Sequence, residues 1–374
     1  MQCSNDLVVR HVILHVVSGV AYLWFWGISP QEMRMDDGVV GEFPLGGGIN
    51  TSTEEFKGKV RSSRRRGKSR GYSTNHLPDP VQARLKAFED TSLSGSVLDC
   101  VLYFASIVAA AVLCISVWRM NFLAGVVCYA LVLLVIARQI RGLELMVHDA
   151  SHWCWQKDKK HVNDMIANCF VSYPTMGTVE TYRKGHFIHH GTYAGEQDPC
   201  KRRFAAMGLG EVDLSTKWAI MRAVLRWLPH YNLVYYTEIG SKSFSMLGSW
   251  ALWHLAVFIL PLSLMFGVDH AFLMWAMFWL VPMLVSLPVL RSIAEAEEHD
   301  YERGETEFES TYTNDGLIHH LLWHPWNDGY HQVHHMFPNI SARYHHRVHK
   351  LLMLHDEKYR AGPIRTKTLQ HVPL

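Results

Sequence analysis

The chain has 374 residues, 49% of them hydrophobic, with a net charge of +2 and 24 histidines. So even a balance gives no support for a nucleic-acid partner, and no GxGxxG turn, haem motif or iron–sulfur cysteine set puts a redox cofactor inside the chain. Seven cysteines without CxxC spacing, three of them (Cys100, Cys114, Cys128) in apolar runs, exclude a disulfide framework.

In chain order, residues 1–96 read as an N-terminal arm. Residues 11–27 are apolar enough for an extra segment, although they are short for a span and hold His11 and His15. Residues 28–75 lack periodicity and read as mobile, and the basic run at 57–70 reads as a solvated stretch near an anionic leaflet. A first transmembrane hairpin follows at 97–140. Its first run, residues 97–118, carries only Asp99 as a charge and rises about 33 Å as a helix, enough for a hydrocarbon core of about 30 Å. Residues 122–140 form the second run. A polar region occupies 141–245, and a second hairpin spans 246–290, where His254 is the one titratable residue in the two runs at 246–266 and 271–290. Residues 291–374 are polar and histidine-rich. The implied fold is an all-α integral membrane protein with four transmembrane helices in two hairpins and a helical cap.

The short loops inside the hairpins carry one Lys or Arg, whereas residues 138–242 carry fourteen. By the positive-inside rule the middle region and both ends of the four-span unit face the cytoplasm. Within that region Val162, Met165, Ile166, Cys169, Phe170 and Tyr173 recur at helical spacing, which predicts an amphipathic helix at the membrane interface.

Three histidine clusters stand out: HDASH with His148 and His152, HFIHH with His186, His189 and His190, and HQVHH with His331, His334 and His335. Residues at i, i+3 and i+4 share one face of a helix, so each cluster aims its imidazoles in one direction. All three lie on the same side of the membrane. Eight imidazoles exceed the four that close one zinc site and suit two metals with positions left open. Imidazole alone does not choose among zinc, copper, iron and nickel. Two oxygen-activating irons fit a membrane setting, where an apolar chain offers only unactivated C–H bonds.

RYHHRVHK gives His345, His346 and His349 the same spacing, but Arg343, Arg347 and Lys350 would oppose a cation, so it reads as a solvated basic helix near the headgroups. His319, His320 and His324 read as outer groups behind the third cluster, and His161 and His254 as interfacial or packing residues. Trp153, Trp155, Trp323 and Trp326 read as interfacial anchors that flank the clusters.

Taken with the two hairpins, these motifs resemble the membrane fatty acid desaturase family and its hydroxylase and carotenoid ketolase relatives, over about residues 97–355. The resemblance implies a cytosolic helical domain holding a histidine-ligated di-iron site. It also implies a ninth ligand, His299, from the segment RSIAEAEEH. Asp149, Asp198, Glu295, Glu297, Glu298, Asn327 and Asp328 lie near the clusters in sequence and are expected to orient the imidazoles by accepting their second N–H, Asp149 first among them.

The activity so implied is O2-dependent desaturation of a fatty acyl chain, of EC 1.14.19 type, with the chain held in a tunnel rising from the bilayer. The partners would be acyl lipid, membrane lipid, and an external electron donor (ferredoxin, rubredoxin or cytochrome b5) with its reductase. The site would face the cytoplasm from a bacterial inner membrane or the endoplasmic reticulum. Hydroxylase or ketolase chemistry is the alternative on the same scaffold. A metal transporter or sensor is the competing class, and against it the spans offer only His254, scattered serines, Pro261, Pro282 and Pro288 in place of an ion path.

Overall fold

Asn121 stands between two long apolar runs and makes the first hairpin. It ends α2 (Leu93–Met120) and caps α3 (Phe122–Ser151), its Oδ1 accepting the Ala124 N–H at 2.9 Å. The computed structural model describes residues 72–206, 216–238, 244–301 and 306–368. The apolar segment at 11–27 and the basic run at 57–70 lie outside the described residues.

The second hairpin is α8 (Phe244–Phe266) and α9 (Val268–Glu298), joined by Gly267 at φ 87°, a conformation that favours glycine. Proline cannot donate to the helical ladder, and here the helices widen into π turns around it. These are Leu255–Ile259 ahead of Pro261, Ala276–Leu280 ahead of Pro282, and Pro282–Ser286 ahead of Pro288. All four helices are long and apolar enough to cross a membrane. The protein is an all-α membrane protein with two hairpins.

Beyond the apolar run, α3 continues from Arg138 to Ser151 with every residue buried. Leu143, Met146 and Val147 pack into the main core, and the Arg291 guanidinium of α9 meets Glu144 at 2.5 and 3.0 Å. The helix is thereby carried two turns past Arg141 to present His148 and His152.

Between the hairpins, α4 (Lys160–Ala167) runs into a π turn at Asn168–Ser172. Its interior face is polar: Asn163 and Asn168 are buried while Met165 and Cys169 are exposed. The asparagines are satisfied inside. Asn163 donates to the Ala150 carbonyl at 2.9 Å, and Asn168 Oδ1 accepts the Val179 N–H at 2.8 Å, which starts α5 (Val179–Gly191). Of the predicted apolar stripe, Met165 and Cys169 are exposed, whereas Ile166 and Phe170 pack against the main core. Next come α6 (Pro199–Ala206) and α7 (Lys217–Glu238).

Residues 72–96, assigned above to the arm, fold against the C-terminal region. Val81 and Leu85 of α1 (Asp79–Ala87), with Leu77, join Tyr330, Val333, Met336, Val348 and Leu352 in a second core. That core also corrects the reading of residues 343–350 as solvated. Val348 and Leu352 make an apolar face on α12 (His345–His355), which turns His345 and His349 inward. His345 Nε2 meets the Ile340 carbonyl at 3.1 Å, His349 Nδ1 meets the Tyr359 hydroxyl at 2.8 Å, and Arg343 is buried in an ion pair with Asp99. The other C-terminal elements are α10 (Glu307–Ser310), α11 (His331–Met336), α13 (Glu357–Arg360) and a two-stranded parallel ladder of β1 (Thr313–Asn314) with β2 (Ile364–Arg365).

Candidate metal centre

Three helices and one helix end bring nine imidazoles together. His148 and His152 close α3, His186, His189 and His190 lie on α5, and His331, His334 and His335 fill α11. His299 follows α9 in extended conformation (φ −134°, ψ 144°), held by an isolated bridge to Thr311. Helix α5 is registered by Thr178, whose hydroxyl caps it by accepting the Thr181 N–H.

The Nε2 atoms form two adjoining groups. In the first, His148 lies 3.0 Å from His186 and 2.9 Å from His334, His186 lies 2.9 Å from His152, and His190 lies 3.0 and 2.9 Å from His186 and His334. In the second, His189 lies 3.4 Å from His335 and His299 lies 3.2 Å from His331. Nitrogens about 3.0–3.4 Å apart are what metal–nitrogen bonds of about 2.1 Å require in octahedral to tetrahedral geometry.

The tautomers agree with this reading. His189 turns Nδ1 to Asp198 at 2.9 Å, His299 turns Nδ1 to the Tyr193 and Thr311 hydroxyls at 3.2 and 3.1 Å, and His335 turns Nδ1 to Glu307 at 3.5 Å. A ring that donates from Nδ1 offers a bare lone pair at Nε2. Burial, and then the fields of neighbouring rings, push His334 and His335 well below the ordinary histidine range, so these rings are neutral. Neutral lone pairs packed this closely repel unless a cation lies among them, so the donor set fits metal. His148, His152, His186 and His334 make one candidate group of ligands and His189, His299 and His335 another.

The outer groups are only partly those expected from sequence. Asp328 meets His324 Nδ1 at 3.2 Å, but at 4.0 Å from His331 Nδ1 it makes no hydrogen bond to that ring. Asp149 instead accepts from the Ser341 hydroxyl at 2.9 Å and the Ala342 N–H at 2.8 Å, and Asn327 donates to the Ala342 carbonyl at 3.1 Å. Both brace the chain that leaves α11 and neither touches an imidazole. Glu298 lies on the Nε2 side of His331, at 3.7 Å, with Arg141 at 3.5 Å on its other oxygen. Glu307 was not singled out in the sequence, because 28 residues separate it from His335. Tyr193, four residues past His189 on the same helical line, had that one positional clue.

Among the outer histidines, His319 faces Glu297 at 3.4 Å and His320 faces Asp315 at 3.0 Å. His254 packs among tryptophans and takes the Trp275 N–H at 3.2 Å. Trp155 is fully buried in the main core, so it is not an interfacial anchor, and half-buried Trp153 has Lys160 and Arg183 over its ring.

A cavity of about 530 Å³ opens onto His148, His186, His189, His299 and His331. Leu145, Val147, Met176 and Phe204 give it apolar wall, and Arg141, Glu144, Arg203, Glu295 and Asp328 give it charged wall. Its wall is therefore of mixed character.

A membrane scaffold that gathers nine imidazoles beside such a cavity defines a class of protein built to hold metal on histidine. The fatty acid desaturase family model matches residues 101–366, and the chain belongs to that family. It is also similar to the dihydrorhizobitoxine desaturase of Bradyrhizobium elkanii, 25% identical over 319 residues that cover 79% of this chain and 83% of that protein. The chain is therefore an oxidoreductase of the desaturase type.

Proposed function

We propose that the protein is an O2-dependent, two-iron desaturase that places a C=C bond in a saturated chain, with a fatty acyl lipid as its substrate class. The observation that supports this is the convergence of nine Nε2 atoms in two adjoining groups, open to one cavity. When bound there, an iron pair supplies the reduction of O2 and the removal of hydrogen from an unactivated C–H bond. In balance, a CH2–CH2 unit, one O2, two electrons and two protons give CH=CH and two waters.

The chain's own residues do the positioning. His148, His152, His186, His190 and His334 would hold one ion, and His189, His299, His331 and His335 the other, while Asp198 and Glu307 fix ring orientation from the far side. The electrons come from a ferredoxin, rubredoxin or cytochrome b5 with its reductase. Those donors dock on the cytoplasmic face, the side that the excess of Lys and Arg favours for the histidines.

A second reading, a substrate other than a fatty acyl chain, is favoured by two observations, and hydroxylation or ketolation is the alternative chemistry on the same scaffold. The cavity wall carries charges, and the relative is named for dihydrorhizobitoxine rather than for a fatty acid. Expression in a host supplied with a reductase, followed by mass spectrometry of lipids and small metabolites, separates the readings. Loss of two hydrogens marks desaturation and gain of oxygen marks hydroxylation or ketolation; no change in any compound would reject both.

A further inference from the structure

The two imidazole groups are unequal. One group of candidate ligands holds His148, His152, His186 and His334, with His190 beside it, and the other holds His189, His299 and His335; His331 and Glu298 group with His299 at the edge of the second.

The carboxylates around the centre divide by the side from which they approach. Asp198 and Glu307 face Nδ1 of His189 and His335 and orient those rings from behind, and Asp328 stands on the Nδ1 side of His331 at 4.0 Å. Glu298 approaches from in front. Its Oε2 lies 3.7 Å from His331 Nε2, and one of its oxygens, an imidazole nitrogen of His299 and one of His331 all lie within 4.8 Å of one another. That spacing contracts to a shared ion with a shift of less than the length of one bond.

Its other contact does not hold it elsewhere. Arg141 Nη2 stands 3.5 Å from Oε1, beyond an ordinary charge-assisted hydrogen bond, and the same guanidinium is shared with Glu144 and Asp328 at 3.7 and 3.5 Å. Charge points the same way. Two divalent ions on nine neutral imidazoles leave a large positive charge in a buried site, and an anionic ligand offsets it most at bonding distance. Glu298 immediately precedes His299 where α9 ends, so one change of backbone direction presents both side chains.

We propose that Glu298 is a direct carboxylate ligand of the second metal, completing a mixed site of His189, His299, His331, His335 and Glu298 beside an all-imidazole site. This rests on the two-metal reading above. It makes the two ions chemically different. The second bears an anionic ligand and borders the cavity through Glu298, His299 and His331.

The test uses the full chain in detergent, loaded anaerobically with iron-57, and reads metal content and the Mössbauer spectrum. Wild type should bind about two irons per chain as two inequivalent doublets. Glu298→Gln should lose about one iron and one doublet, while Glu298→Asp, which restores the carboxylate, should keep two with one doublet shifted. Arg141→Gln removes the ion pairs with Glu298, Glu144 and Asp328 but no carboxylate, and should keep both irons. Two irons with an unchanged spectrum in Glu298→Gln would overturn the proposal, as would an equal loss in Arg141→Gln. Failure of wild type to bind two irons would instead reject the two-metal reading itself.

Discussion

His189 and Asp198 are paired at 2.9 Å through Nδ1, while Nε2 of the same ring faces His335 at 3.4 Å. Asp198 is fully buried and is itself fixed, since it accepts the N–H groups of Ala194, Cys200 and Lys201 at 2.9, 2.9 and 3.3 Å. Burial would raise its carboxyl, but the His189 hydrogen bond and the Ala194 and Lys201 amides hold it below the ordinary range. The carboxylate therefore sets the tautomer that frees Nε2. Asp198→Asn should weaken metal retention about 10–100-fold with helical content unchanged, since outer partners of ligating histidines have effects of that size. Titration with a chelator checks this, and a curve that overlays wild type would remove Asp198 from the site.

The spans and the three clusters were legible because each rests on a local pattern: apolar length for the spans, i, i+3, i+4 spacing for the imidazoles. Which acid meets which ring was not. Asp149 sits beside His148 in sequence yet points away to Ser341, because neighbours on a helix face different directions. Glu307 reaches His335 only through the chain's return by way of α10 and β1. The solvated reading of residues 343–350 weighed the charges of Arg343, Arg347 and Lys350 and overlooked the Val348 and Leu352 pair at i, i+4, which marks a buried face.

Arg343 follows the third cluster and reaches back to Asp99 near the start of α2, both buried, so the ion pair ties the first span to the histidine-bearing cap. A Cβ on Gly95 would meet the Arg343 guanidinium at 2.2 Å, so this glycine gives the arginine its room. Removing one partner of a buried pair leaves an uncompensated charge and costs about 3–5 kcal/mol, whereas replacing both with apolar groups is often nearly neutral. Asp99→Leu or Arg343→Met alone should lower the thermal midpoint in detergent, and the double variant should recover much of it. Additive losses in that cycle would show that the two residues act independently.

The first hairpin depends on two glycines with different neighbours. A Cβ at Gly142 would fall 2.0 Å from the Tyr103 ring, and one at Gly125 would fall 2.6 Å from the Trp118 Cα. Overpacking of this kind costs about 1–3 kcal/mol when side chains can move, and more when backbone must. Gly142→Ala should be rescued by Tyr103→Ala, while Gly125→Ala should not be rescued by Trp118→Ala. Thermal unfolding of the four variants reads the difference, and equal rescue at both sites would contradict the packing described.

Acid should act first through rings that are buried and neutral. Burial pushes His345 down to about 4, against a partial upward pull from the Ile340 carbonyl and Asp328. The folded value lies below the unfolded value of about 6.5, so the unfolded chain takes up the proton first. The neutral ring's contribution to stability is complete above about pH 6.5 and is lost as pH falls towards about 4. For metal-free protein, unfolding free energy measured by denaturant titration should fall steeply across that window. His345→Gln, which keeps a donor for Ile340 but takes no proton, should reduce the slope by about one proton near its steepest part. Metal binding to the folded state adds stability by mass action, and competition between protons and metal for the ligating imidazoles makes that increment itself shrink as pH falls. Loaded and metal-free curves should therefore converge at low pH, and parallel curves across the window would show that the metal is not held on these imidazoles.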